Sequence, residues 1–152
     1  MVEASYDNFG NVLGSMFRLL SLHQDVQSKL GKEIEEVLKK HSNKINMESI
    51  KEMKYLTMVL SETLRCFPTL ARMERTCTKD YTFPTGLTIE KNTRVNVPLY
   101  GLHNDPKYYP NPEKFDPERF TENAKSERPP YVYLPFGNGP RKCVGMYNIV
   151  NL

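Results

Sequence analysis

Four scarcities narrow what this chain can be. No apolar run approaches the roughly 18 residues that a membrane-spanning helix needs, and the first residues lack a basic stretch followed by an apolar one. Neither an anchor nor a signal peptide is therefore expected within the sequence. No block of basic residues stands out either. The 21 Lys and Arg stand against 18 Asp and Glu, a formal charge of +3, too mild a balance to imply a nucleic-acid partner. Cysteine is sparse: Cys66, Cys77 and Cys143 cannot all pair, and none stands in a Cys-x-x-Cys arrangement. That argues against structural zinc and fits a reducing compartment in which one thiol has a job. Proline is missing from the whole stretch before Pro68, and all 11 prolines lie from there onward.

What is present suits a globular segment. The chain has 152 residues, about one domain's length, of which 39% are hydrophobic. With a negative mean hydropathy it is neither a disordered tail nor a membrane span. It shows no internal repeat and no low-complexity segment.

The proline-free part reads as helix. A first helix is expected from about Tyr6 to Leu22, with Phe9, Leu13, Met16, Phe17 and Leu20 at helical spacing. A second begins near Asp25 as N-cap, carries Val26, Leu30, Ile34, Val37 and Leu38, and closes at His41-Ser42-Asn43. Ser49 to Glu52 reads as a capping box opening a third helix with Leu56, Val59, Leu60 and Leu64, which Pro68 stops. Beyond it, Thr76 to Phe83, Leu87 to Glu90 and Arg94 to Leu99 read as short strands, with Pro84-Thr85-Gly86 as a turn. Asp105 to Pro140 holds eight prolines and reads as a long loop, of the kind that is functional or wrapped around something.

The densest chemical signal is the run from Phe136 to Gly145, where Gly137, Gly139, Gly145 and Pro140 bracket Cys143 beside Arg141 and Lys142. Glycines permit close backbone approach to a flat ligand, and cationic neighbours with a following helix start favour a thiolate. Such a thiolate is a nucleophile or a metal ligand. The nucleophile needs a histidine base, and His23, His41 and His103 are scattered without a partnering motif. A phosphate-binding loop is a further reading, although Lys142 precedes cysteine rather than Ser or Thr and the Walker spacing is absent. A glycine-rich surface turn with a spare thiol is the plainest one. The second signal is Glu62 and Arg65, three apart on one face of an apolar helix. A solvated surface pair is the common fate of that spacing. A buried pair would need further partners, and Arg119 in the proline-rich stretch could supply one.

Together these pieces resemble the cytochrome P450 superfamily of haem-thiolate monooxygenases. Phe136, Gly139, Arg141, Cys143 and Gly145 match its cysteine loop F-x-x-G-x-R-x-C-x-G at every fixed position, Glu62 and Arg65 match E-x-x-R, and Pro117 to Phe120 match P-E-R-F. Ala4-Ser5-Tyr6-Asp7-Asn8 lines up with the oxygen-activating stretch of the family's long central helix. Arg72 to Asp80 and His103 to Glu113 look most like microsomal members of the animal, particularly insect, drug- and toxin-oxidising branch. The implied fold is mainly α with a small β component, the C-terminal part of the family's fold. Its expected layout is helical over 1–67, short strands over 68–104, a proline-rich meander over 105–135 and the haem-binding cysteine loop over 136–145.

The resemblance also implies roles. Cys143 would be the axial iron ligand of haem b (iron protoporphyrin IX), its thiolate pushing electron density that favours O–O cleavage, with loop N–H groups aimed at the sulfur. Phe136 and Gly137 would lie beside the haem, and Arg141 and Arg75 would meet its propionates. Asp7 and Asn8 would stand at the proton-delivery position, where the family usually has threonine for Asn8 and glycine for Ser5. Thr69, Leu70 and Ala71 match a strand that lines the substrate pocket. Glu62, Arg65 and Arg119 would form a buried structural cluster, and Cys66 and Cys77 would be plain thiols. Electrons would come from NADPH through a reductase that Lys142 could help dock, for transfer of one oxygen atom from O2 to a small apolar organic substrate. The family's setting is the cytoplasmic face of the endoplasmic reticulum membrane, held by an anchor that this sequence does not contain. Residues Tyr147 to Leu152 depart from the family's continuation, so the chain resembles a fragment or a misjoined gene product that is inactive in isolation. A haem-thiolate enzyme of another kind, such as a peroxide isomerase, and an inert truncated product are the competing readings.

Overall fold

The computed structural model describes residues 2–145, with side chains from Tyr6 onward. Helix α1 (Val2–Leu22) runs uninterrupted by proline and starts four residues ahead of the expected Tyr6. It buries Val12, Met16, Leu19 and Leu20, the spacing of one helical face. That face is rotated from the expected stripe: Phe9 and Phe17 stay exposed, because α2 and α4 cover only the other side. Helix α2 (Gln24–Lys40) buries Val26, Leu30 and Val37. Its N-cap is His23, without a side-chain cap bond, and Asp25 lies in the first turn instead of capping it. There its carboxylate still meets the positive end of the helix dipole. Ser42 and Asn43, both at positive φ, close the helix, and the Asn43 N–H donates to the Leu38 carbonyl at 2.8 Å.

The capping box lies one step earlier than the sequence suggests. Asn46 Oδ1 accepts the Ser49 N–H at 2.8 Å and Ser49 Oγ accepts the Asn46 N–H at 2.9 Å, which opens the short helix α3 (Met47–Glu52). Ser49 is thus inside a helix rather than capping the long one. The chain breaks at Met53, and α4 (Lys54–Cys66) begins without a cap from its own sequence. Glu33 of α2 supplies one from across the interface. Its carboxylate accepts the N–H groups of Tyr55 at 2.7 Å and Leu56 at 2.9 Å, two donors that a helix start leaves open. Helix α4 ends at Cys66, and its C-cap Phe67 leaves the helical backbone region before Pro68.

The strand region is more broken than expected. Strand β1 (Met73–Thr76) pairs antiparallel with β4 (Arg94–Val97), setting Met73 opposite Val97 and Thr76 opposite Arg94. Strand β2 (Tyr81–Thr82) pairs with β3 (Thr88–Ile89) around a turn whose Gly86 has φ +86°. The single strand expected over Thr76–Phe83 is therefore two, since Cys77 leaves β1 to exchange bonds with Thr93 and Asn92. Leu99 opens helix α5 (Leu99–His103) instead of ending a strand. The proline-rich stretch also carries regular structure, a 3-10 helix (Pro117–Phe120) and helix α6 (Glu122–Glu127), capped by Asp116 and Thr121.

The main core lies where α1, α2 and α4 meet, around Met16, Leu20, Leu30, Tyr55 and Val59, with Phe115 brought in from the proline-rich stretch. The molecule is mainly helical with a small antiparallel component, as expected. Among the described residues no helix is long and apolar enough to cross a membrane.

Candidate functional site

Two arrangements carry chemistry. The first lies in α4. Glu62 and Arg65 are fully buried, and Arg65 grips the carboxylate with two parallel bonds, Nε to Oε2 at 2.7 Å and Nη2 to Oε1 at 2.9 Å. The remaining donors reach the far side of the fold, Nη1 to the His103 carbonyl at 2.9 Å and Nη2 to the Pro112 carbonyl at 2.8 Å. Glu62 Oε1 also accepts the Asp116 N–H at 3.0 Å, and Arg119 Nε stands 3.5 Å from it. Arg119 in turn donates to the Pro110 and Asn111 carbonyls at 2.7 and 2.9 Å. One acid and two guanidinium groups thus tie α4 to the proline-rich stretch by its backbone. Burial works against the Arg65 cation, but the bonds and charge of Glu62 more than offset it and raise its pKa above the ordinary value. The neighbouring Cys66 thiol is pushed up to about 11 by burial and by Glu62, which makes it inert at neutral pH.

The second arrangement is the loop of Cys143. Its thiol is exposed, and the loop is held by three backbone bonds: Gly137 N–H to Leu134 O at 3.1 Å, Lys142 N–H to Gly139 O at 3.0 Å and Cys143 N–H to Phe136 O at 2.9 Å. The last two amides are spent on loop carbonyls and so brace the loop itself. Gly137 and Gly139 sit at φ +68° and +81°, the left-handed region that favours glycine. At Gly137 a side chain would also stand 3.1 Å from the Met73 sulfur of β1. A Cβ on Gly145 would lie 3.7 Å from the Cys143 sulfur, so the chain passes close beside the thiol.

Around the loop, Phe136 is half-buried, and Arg141 is exposed without a partner among the described residues. Arg75 is exposed on β1, donating to its own strand at the Glu74 carbonyl, with Nη2 3.3 Å from the same Met73 sulfur. Both guanidinium groups are therefore open to an acid group. An apolar space of about 790 Å³ separates α1 and α4 from the loop, lined by Phe9, Val12, Leu60, Leu64, Phe136 and Gly137 among others. Cys143 itself does not line it.

The other expected site residues lie apart. Asp7 is exposed and Asn8 half-buried on the first turns of α1, and the Ser5 side chain lies outside the described part. Thr69, Leu70 and Ala71 do not form a strand. They lie in the bends between α4 and β1, with Leu70 57% exposed and the Ala71 carbonyl accepting the Tyr100 N–H. The helix start expected after Cys143 and the departure over Tyr147–Leu152 lie outside the described residues.

Sequence reasoning missed two residues that shape the site. Arg128 covers the ring faces of Phe120, Tyr109 and Tyr133 at 4.6, 5.1 and 5.9 Å and donates to the Arg119 carbonyl. His103, 0% exposed, takes the Leu134 N–H on Nε2 at 3.0 Å, just before the cysteine loop. Only its place in a segment dense with Asn, Asp and Pro could have hinted at such a role.

The donor set says what kind of metal could sit here. Among the described residues no group of three or more His, Cys, Asp or Glu side chains gathers around a point. A bare ion needs three or four protein ligands, whereas an iron that brings its own ring of four nitrogens needs one or two. A lone exposed thiol flanked by glycines, with two exposed guanidinium groups nearby, fits the second case. The cytochrome P450 family model matches residues 1–147, and the chain belongs to that family. It is 46% identical over 144 residues to cytochrome P450 9e2 of Blattella germanica, covering 93% of this chain and 27% of that protein. It is 49% identical over 127 residues to cytochrome P450 6j1 of the same species, covering 84% of this chain and 25% of that protein. With cytochrome P450 3A31 of Mesocricetus auratus it shares 46% identity over 145 residues, 95% of this chain and 28% of that protein. The chain thus spans about a quarter of the length of the curated relatives it matches.

Proposed function

We propose that this chain is the haem-holding part of a longer haem-thiolate monooxygenase that transfers one oxygen atom from O2 to a small apolar organic substrate. The observation that carries the reading is the exposed Cys143 thiol, outside any cluster of metal-ligating groups among the described residues, on a loop whose Gly137 backbone packs close beside β1. In this reading Cys143 would ligate the iron of haem b, Phe136 and Gly137 would lie beside the group, and Arg141 and Arg75 would pair with its two acid groups. The haem, when bound through a thiolate, supplies the activation of dioxygen. Everything else falls to side chains. Glu62, Arg65 and Arg119 fix the proline-rich stretch against α4 and so hold the approach to the loop in one place. Asp7 and Asn8 stand where protons would be delivered, and residues 69–71 border the substrate. Electrons come from NADPH through a reductase, for which Lys142 is an exposed basic contact. The setting is the cytoplasmic face of the endoplasmic reticulum membrane.

A second reading rests on Asn8. An amide in place of a hydroxyl can donate a hydrogen bond but cannot turn a single proton between partners. That favours an enzyme that uses a preformed peroxide substrate. One experiment separates the readings: the reduced, carbon-monoxide-bound spectrum of the full-length protein, followed by turnover with NADPH and O2. A thiolate-type band with hydroxylated product supports the monooxygenase. The band with turnover on hydroperoxide alone supports the second reading, and no band contradicts both.

A further inference from the structure

The step from the buried network to the cysteine loop passes through one side chain. Leu134 donates its N–H to His103 Nε2 at 3.0 Å, which requires that nitrogen to be unprotonated and places the proton of the neutral ring on Nδ1. Nδ1 is buried and makes no hydrogen bond among the described residues. The His103 carbonyl takes the Arg65 bond at 2.9 Å, and its ring lies 5.4 Å from that of Tyr133, whose hydroxyl donates to the Ser61 carbonyl. One residue is therefore pinned to α4 through its backbone and holds the loop through its side chain. Leu134 passes the constraint on directly. Its carbonyl accepts the Gly137 N–H, and one residue earlier the Phe136 carbonyl accepts the Cys143 N–H.

We propose that His103 is a positioning residue for Cys143: by accepting the Leu134 N–H it sets the turn over 134–137 from which the thiol-bearing loop hangs. Losing that acceptor leaves the part-buried Leu134 N–H without its partner and frees the turn, whereas an uncharged acceptor at the same reach preserves it. Glutamine meets that requirement, because its carbonyl oxygen extends about as far as Nε2. Asparagine stops short, near Nδ1. The link to thiol placement rests on the proposed haem reading, but the link to the turn does not.

The test is made on the full-length protein of that reading, with His103→Gln and His103→Asn beside it. Hydrogen exchange at the Leu134 amide is measured at neutral pH. On the same samples the thiolate-type carbon monoxide band is taken as a ratio to total bound haem, a readout that simple loss of folded protein does not move. The native protein and His103→Gln should protect Leu134 alike. His103→Asn should exchange it about tenfold faster or more, the loss expected for one hydrogen bond, with a lower band ratio. Equal protection and an equal ratio in His103→Asn overturn the proposal. If that variant does not accumulate, the other arms decide: a Leu134 amide that exchanges freely in the native protein or in His103→Gln overturns it as well. Should Cys143→Ser keep the thiolate band, the haem reading fails while the amide result still stands or falls by itself.

Discussion

The Glu62 carboxylate and the Arg65 guanidinium meet edge to edge within α4, at 2.7 and 2.9 Å, with both side chains fully shielded from solvent. At that burial the pair cannot be separated cheaply. Removing one partner leaves a charge that water cannot reach, a cost of roughly 3–5 kcal/mol. Glu62→Ala in the full-length protein should therefore give little folded holoprotein and a lower denaturation midpoint. Arg65→Lys should not restore it, because one ammonium cannot make the paired bonds and also reach the His103 and Pro112 carbonyls. Normal yield of the Glu62→Ala protein would return the pair to the ordinary surface kind.

A second carboxylate does structural work that its sequence position hides. Glu33 caps α4 from the neighbouring helix through the Tyr55 and Leu56 N–H groups. Glu33→Ala should cost about 1–2 kcal/mol, as loss of a helix cap does, and Glu33→Gln should cost less because one acceptor oxygen remains. Urea denaturation of the two variants measures both, and equal stability of Glu33→Ala and the native protein would contradict the capping role.

The helices and the Glu62 pair were legible because their signals are local. Apolar spacing marks α1, α2 and α4, and the three-residue spacing marks Glu62 and Arg65 as a pair, though only their bonds to Pro112 and Asp116 show it to be buried. The boundaries that failed were decided by distant atoms. Ser49 could not be told from an N-cap by spacing alone, since Asn46 three residues earlier caps as well. The start of α4 depends on Glu33, 22 residues away from Tyr55. Likewise the strand over Thr76–Phe83 breaks because Cys77 meets Thr93 across the fold. The cysteine loop was readable as a motif, yet its hold on the rest through His103 was not, because a lone histidine carries no spacing signature.

The His103 ring gives the fold an acid-sensitive point. Burial, then the Arg65 cation and more weakly Arg128, lower its pKa from 6.5 to about 4, and the ring of Tyr133 and the N–H of Leu134 complete its surroundings. The unfolded chain takes up a proton near 6.5 while the folded one does not, so stability is full above that pH and falls as pH drops toward about 4. The loss over that window should reach about 3 kcal/mol, the size of a shift of this extent. Denaturation midpoints between pH 7 and 4 check this for the native protein and for His103→Gln, in which that part of the slope should vanish. An identical slope in both would place the acid sensitivity elsewhere.

Asn8 sits half-buried on α1, at the position proposed for proton delivery. Supplying a hydroxyl with Asn8→Thr should raise the share of consumed NADPH that appears as hydroxylated product and lower the share lost as peroxide. Both quantities are measured in one assay with the reductase. If product per NADPH is already near unity with asparagine and threonine does not change it, the alcohol is dispensable and the peroxide reading loses its support.

The central claim is that Cys143 is the ligand of a haem iron. The reduced, carbon-monoxide-bound spectrum of the full-length protein tests it most directly, with Cys143→Ser compared against the native chain. The native protein should show the red-shifted band of thiolate ligation, and Cys143→Ser should lose that band while keeping part of its bound haem through packing alone. A red-shifted band that survives the substitution would contradict the account.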